Sequence, residues 1–191
     1  MSASSLPGAV SLDAAIELKV ERLAHLFDAL DPFPIPTRDL SPATEEFIVG
    51  WARDLPPRAQ IRIVVHAPWE ETGVDGGVLR DAFQRHFAAR AERTSGDLRE
   101  LFRFGRLALA IGLGVLVACV VGARVAMAGE SAIGRVVGEG LLILGWVANW
   151  RPLEIFLYDW WPIMQKRRLL LRLAEAPVVL VGHRQVETSA I

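Results

Sequence analysis

The chain has 191 residues, a formal net charge of −1, and 52% apolar against 23% charged residues. That balance excludes a global basic field for nucleic acid. The single cysteine, Cys119, excludes an internal disulfide and any cysteine-rich metal site.

Charge and apolarity are segregated along the chain. Leu107 to Ala128 holds one charge, Arg124, whereas Glu70 to Arg106 is dense in Arg, Asp and Glu. Such segregation implies a membrane segment joined to a soluble part. The N-terminus, "MSASSLPGAVSLDAAIELKV", has neither a basic n-region nor an apolar h-region, so no cleaved secretory signal is expected.

In chain order, residues 1–13 read as a loose leader. "AIELKVERL" alternates Ile16, Leu18 and Val20 against Glu17, Lys19 and Glu21, the period of a half-buried strand. "HLFDALDPFPIPTRDL" predicts an extended loop pinned by Leu26, Phe27 and Phe33. Ser41-Pro42 is a helix start, a capping hydroxyl before proline at the first helical position. Phe47, Ile48, Trp51 and Leu55 then fall at helical spacing until Pro56-Pro57 stops the run. "QIRIVVHAP" predicts a second strand.

From Asp75 a long amphipathic helix is expected, striped by Val78, Leu79, Phe83, Phe87, Leu98, Leu101 and Phe102. No proline interrupts it, so it should run straight into "LALAIGLGVLVACVVGARVAMA". Twenty-two residues at 1.5 Å each give roughly 33 Å, enough to cross a bilayer core. "GESAIGR" reads as a polar turn, and "VVGEGLLILGWVANW" begins a return span ending near Tyr158. "MQKRRLLLRLAEA" is a basic amphipathic helix with Lys166, Arg167 and Arg168 toward anionic head groups. "VVLVG" predicts a third strand, apolar throughout and buried on both faces.

The expected fold is an α/β membrane protein: a two-helix transmembrane hairpin with a small cytoplasmic α/β domain of about three strands built from both chain ends. Its parts are the α/β domain from 14–75 plus 176–184, an amphipathic helix over 76–104, the hairpin over 105–158 and the basic helix over 160–175. Within the hairpin the spans fall at about 105–127 and 136–158. Arg93, Arg99, Arg103 and Arg106 precede the first span, and Lys166, Arg167, Arg168 and Arg172 follow the second. Only Arg124 and Arg135 flank the turn, which predicts both termini in the cytoplasm of a bacterial inner membrane. Gly114, Ala118 and Gly122, with Gly134 and Gly138, repeat every four residues and suggest close helix packing. The alternative is a soluble protein with a buried helical hairpin, since Arg124 and Glu139 interrupt the apolar runs.

The candidate intramembrane polar site is Asn149, Arg151, Glu154 and Asp159, with Glu139 near the opposite end of the same span beside Arg135. Arg151 and Glu154 can pair at i, i+3, while Asp159 would lie about 80° round on a regular helix. Pro152 predicts a kink or break, whose freed backbone groups Asn149 could bond. Trp146, Trp150, Tyr158, Trp160 and Trp161 read as interfacial anchors, and Arg151 lies about 10 Å from the span end, within snorkelling reach. A structural reading, a kinked aromatic exit from the membrane, competes with a functional one.

The histidines, His25, His66, His86 and His183, read as ordinary surface or strand-edge residues, with His66 and His183 as possible neighbours at one sheet edge. No metal-ligand spacing, catalytic elbow or phosphate loop is present in the sequence, so no cofactor or metal is expected. "TGVDGGVLRD" reads as a turn with an Asp75 cap.

The runs "EGLLILGWVANWRPLEIFLYDWWP" and "EEFIVGWARDLP" resemble a family of uncharacterised bacterial two-pass membrane proteins, over most of the chain from about Ile16. The resemblance implies an inner-membrane hairpin with a cytoplasmic part, and carries no activity or catalytic residues. The expected role is a non-enzymatic scaffold, adaptor or accessory subunit whose partners are the bilayer and another copy or another membrane complex. The rival readings are an oligomeric solute or ion pathway through the intramembrane charges, and an enzyme acting on lipid head groups.

Overall fold

The computed structural model describes residues 13–34, 37–57, 59–68, 75–129 and 131–183. The expected leader lies outside these except for Asp13, which opens the first strand. The chain divides into two compact units, residues 1–91 with 168–191, and residues 92–167.

The first unit holds strands β1 (Asp13–Lys19), β2 (Gln60–Pro68) and β3 (Val178–His183) and helix α1 (Pro42–Asp54). To these it adds the start of α2 (Gly76–Met127) and the end of α5 (Trp160–Ala174). All strand pairs are parallel, in the order β1-β2-β3. Leu18 pairs with Val65, and Val65 with Leu180. Parallel neighbours need crossover connections. Here α1 supplies the first, and everything from residue 69 to 177 is the second.

Ile16 and Leu18 of β1 and Ile61, Ile63, Val65 and Ala67 of β2 are buried, with Glu17, Lys19 and Arg62 exposed between them. Against them pack Ile48, Val49 and Ala52 of α1, Leu79, Phe83 and Phe87 of α2, and Leu170 and Leu173 of α5. Arg172 of α5 donates to the carbonyls of Pro56 and Ala59, tying the helix end to the turn before β2. Ser41 caps α1 by accepting from the Thr44 N–H, and Asp75 accepts from the Gly77 N–H at the start of α2.

Three expectations need correction here. β3 is not buried on both faces: Val179 and Val181 are 42% and 38% exposed, because one face of the sheet carries the core and the other has no covering layer among the described residues. In α1 the inward stripe is Thr44, Ile48, Val49 and Ala52, while Phe47 and Trp51 form an exposed ring pair with centroids 6.1 Å apart. Small and β-branched residues fit close to the sheet, so the bulkier stripe faces out. Phe33 is exposed and does not pin its loop. Leu26, Phe27 and Leu40 do, closed by the hydrogen bonds Asp28 N–H to Asp39 O and Ser41 N–H to Leu26 O.

The second unit is an antiparallel pair of long helices. α2 supplies one arm. The other is α3 (Ala132–Ala148), a short α4 (Trp150–Glu154), a π-helical turn (Ile155–Asp159) and the start of α5. The stretches Gly76–Met127 and Ala132–Ala174 are each long and apolar enough to cross a membrane. The return helix starts at Ala132, where Ser131 caps it by accepting from the Gly134 N–H. At its far end the π turn carries it directly into α5.

The seam between the arms follows a seven-residue spacing, which keeps one stripe facing a partner helix. Gly105, Gly112 and Cys119 on α2 are buried, as are Gly138, Gly145 and Pro152 on the return arm. A Cβ on Gly112 would lie 2.9 Å from Asn149 Oδ1 and 3.2 Å from the Ala148 carbonyl, so only glycine permits this approach. The expected four-residue repeat is partly misplaced: Gly122, Gly134 and Gly138 lie on the seam, but Gly114 meets nothing within 4 Å and Ala118 is exposed.

Candidate functional site

The polar residues of the return arm are assembled by two irregularities in its backbone. The first is at Asn149. Pro152 has no N–H to give the Ala148 carbonyl, and the Asn149 N–H turns back to Trp146 and Val147 instead of Gly145. The freed Gly145 carbonyl is taken by the Asn149 side chain, whose Nδ2 donates to it at 3.0 Å and to the Gly112 carbonyl of α2 at 3.1 Å. Asn149 thus repairs the break and bonds the two arms together. Its surroundings are buried and apolar, where an unpaired amide would be costly.

The second irregularity is the π turn. On a regular helix Asp159 would sit about 80° round from Arg151. A π turn accommodates one extra residue, rotating the helix beyond it back by about one α-helical step of 100°. Asp159 is then placed as if seven residues from Arg151, on the same face. The geometry agrees: Arg151 Nη1 lies 2.9 Å from Glu154 Oε2 and 3.4 Å from Asp159 Oδ2. One guanidinium nitrogen therefore serves two carboxylates. Trp160 Nε1 donates to the Phe156 carbonyl within the widened turn.

The structure brings Arg151, Glu154 and Asp159 together, with Asn149 one turn below on the seam. Glu139 stands apart, 15 residues or roughly 22 Å along the helix from Glu154; it is exposed and forms no ion pair with Arg135 among the described residues. Trp146, Trp150, Tyr158 and Trp161 are exposed, and Trp160 packs edge-on against Trp161. Lys166 and Arg168 are exposed. Arg167 is half-buried and donates to Ser95 Oγ of α2 at 2.6 Å, so part of its donor capacity serves helix packing.

His86 is not a surface residue. It is 6% exposed on α2, with Nε2 3.2 Å from Glu45 Oε2 and Nδ1 3.3 Å from both the Leu40 N–H and Asp39 Oδ1. The ring thus meets the buried Leu40 N–H and Asp39 on one nitrogen and Glu45 on the other. Glu45 is held in turn by Arg90 at 2.8 Å. The spacing Leu79–Phe83–His86 put His86 on the buried stripe, a signal available in the sequence. His66 lies 3.6 Å from Glu17 on the uncovered sheet face. It pairs with Val181, while His183 pairs with Pro68, so the two are offset by two positions along neighbouring strands. Among the described residues no group of three or more His, Cys, Asp or Glu is arranged to hold a metal ion.

Outside the apolar arms, the Asp31 carboxyl is held below its ordinary range, first by the Asp39 N–H and then by the Phe33 N–H. Comparison with protein-family models, curated proteins and solved structures finds no match to this chain.

Proposed function

We propose that this chain is an integral protein of a bacterial inner membrane, a non-enzymatic scaffold, adaptor or accessory subunit. In this reading the helical hairpin spans the bilayer and carries the α/β unit on its cytoplasmic side. The observation that carries it is the inverted packing of the hairpin. Its seam is built from Gly105, Gly112, Cys119, Gly138 and Gly145, while Leu107, Ile111, Val117, Val125, Ile143 and Val147 are each at least 60% exposed. A hairpin made for water would bury those side chains, each contributing about 1.5–3 kcal/mol. One made for lipid gains little by doing so and packs through small residues and interhelical hydrogen bonds.

The sheet supports an even number of crossings. β2 and β3 are hydrogen-bonded neighbours on either side of both long helices, so the chain must return to the side it left. Two crossings satisfy this. Cations cluster at the outer ends of the arms, Arg93, Arg99, Arg103, Arg106, Lys166 and Arg168, against Arg124 and Arg135 near the turn, which favours a cytoplasmic α/β unit.

The test is topology and partner capture. In inverted vesicles, a membrane-impermeant thiol reagent should reach Glu21→Cys and not Ser131→Cys, in a Cys119→Ala background, with the reverse in intact spheroplasts. Labelling of both positions from one side would sink the hairpin reading. Mild detergent extraction should recover the protein in a stoichiometric assembly; recovery only as a solitary monomer would sink the scaffold role.

A further inference from the structure

The Arg151 cluster leaves a definite set of groups unused. Both of its ion pairs employ Nη1, one oxygen of Glu154 and one oxygen of Asp159. Arg151 Nε and Nη2, Glu154 Oε1 and Asp159 Oδ1 have no partner among the described residues. The three side chains are 59%, 44% and 31% exposed, so these groups are open to a ligand. A guanidinium edge with two adjacent donors matches an oxyanion such as phosphate. Carboxylate oxygens next to it require a donor. With all three ionised the cluster sums to one negative charge, which disfavours a purely anionic ligand.

The height of the cluster is set by the register of the arms. Gly112 faces Asn149, and Gly105 faces Ile155. Arg106, the last cation before the apolar run, is therefore level with about residue 155. Arg151 lies about four residues, or about 6 Å, to the apolar side of that boundary, and Asp159 about as far to the charged side. Exposed Trp150 and Trp161 flank the cluster in sequence.

We propose that Arg151, Glu154 and Asp159 form a binding site for a phosphoethanolamine lipid head group, the phosphate on the free edge of Arg151 and the primary ammonium on Glu154 and Asp159. This rests on the membrane reading above. A choline head group offers the carboxylates no N–H, and a glycerol head group brings the phosphate charge without the ammonium. The π turn has a purpose in this arrangement: without it Asp159 would point away, leaving one carboxylate to meet the ammonium.

The experiment uses the full-length protein in nanodiscs of mixed phosphatidylethanolamine, phosphatidylcholine and phosphatidylglycerol, with retained lipid counted by native mass spectrometry. Wild type should retain phosphatidylethanolamine about tenfold over phosphatidylcholine, one charge-assisted bond's worth of discrimination. E154Q/D159N, nearly isosteric, should bring that ratio to about one while circular dichroism and thermal melting stay unchanged; E139Q should leave the ratio as in wild type. No preference, a preference the double variant keeps, or a preference for phosphatidylglycerol each overturns the site. Displacement of the lipid by an equal concentration of soluble glycerophosphoethanolamine would show that the free head group is the ligand and overturn the lipid assignment. Carbonate extraction run in parallel separates the two levels. Protein that resists extraction yet shows no preference refutes this site alone, whereas protein released by carbonate refutes the membrane reading with it.

Discussion

The two units of this chain obey opposite packing rules. In the α/β unit, Phe83, Phe87, Ile63 and Leu170 are buried and Glu17, Lys19 and Arg62 face out. In the hairpin, Gly105, Gly112, Gly138 and Gly145 are buried, while Leu107, Ile111, Val117, Val125, Ile143 and Val147 face out. Both run through the same continuous helix, α2, whose residues 79–91 follow the first rule and whose residues 105–126 follow the second. Backbone geometry is the same in both stretches, so the difference lies in the side chains, and it supports the proposed membrane reading. Water rewards burial of large apolar side chains, whereas hydrocarbon is indifferent to it and leaves close van der Waals approach and hydrogen bonds to hold helices together.

The largest effect is expected at the centre of the α/β core. Phe83→Ala should cost about 3–5 kcal/mol, read as a loss of cooperative thermal unfolding of that unit. Val117→Ala, on the outer face of the hairpin, should stay within about 0.5 kcal/mol. Similar losses at the two sites would mean that the hairpin's outer face is a protein core after all.

Next comes the seam. Gly112→Leu forces a side chain into Asn149 and the Ala148 carbonyl, and should destabilise the hairpin by about 1–3 kcal/mol or more. Gly114→Leu, which meets open space, should be neutral. Helix–helix separation measured by spin labels on α2 and α3 in detergent would report both. Equal tolerance at 112 and 114 would refute the seven-residue seam.

His86→Leu removes a partner from the buried Leu40 N–H and from Glu45, and should cost about 1–3 kcal/mol in the α/β unit. Asn149→Ala should cost the hairpin about 0.6–2 kcal/mol, read from the protease resistance of detergent-solubilised protein. Denaturation in a helix-solubilising detergent would separate this loss from local fraying at the Pro152 break.

The smallest effect lies at Asp31. Its carboxyl is depressed by backbone N–H bonds from Asp39 and Phe33, so its contribution to the 28–41 loop is fully present above the unfolded carboxylate range. It is lost as pH falls through the folded value. Hydrogen exchange at the Asp39 amide should accelerate in acid beyond the intrinsic trend, and Asp31→Asn should remove that extra dependence.

Local chemistry was legible wherever a short-range rule applies. The β1 and β2 alternation, the Ser41 cap, the unbroken run of α2 and the return of the chain to complete the sheet all follow from periodicity, capping residues and the placement of apolar runs. So does the Arg151–Glu154 pair, a matter of helical spacing. What periodicity could not decide was which of two apolar stripes on α1 meets the sheet, because Phe47/Trp51 and Ile48/Ala52 are both regular. Nor could it give the seam. Glycine is abundant along both arms, and only the facing helix selects Gly112 and Gly145 over Gly114.

A charged α/β part, two long apolar helices and a polar cluster where the second of them meets charge again are all written in the residues alone. Only the folded chain shows that Asn149 joins the two arms, that Glu45 and the Leu40 N–H meet His86, and that Asp159 reaches Arg151. The physical reason is common to all three. Each depends on a hydrogen-bonding group left over by a backbone irregularity or a facing element, and such leftovers exist only once the chain has folded.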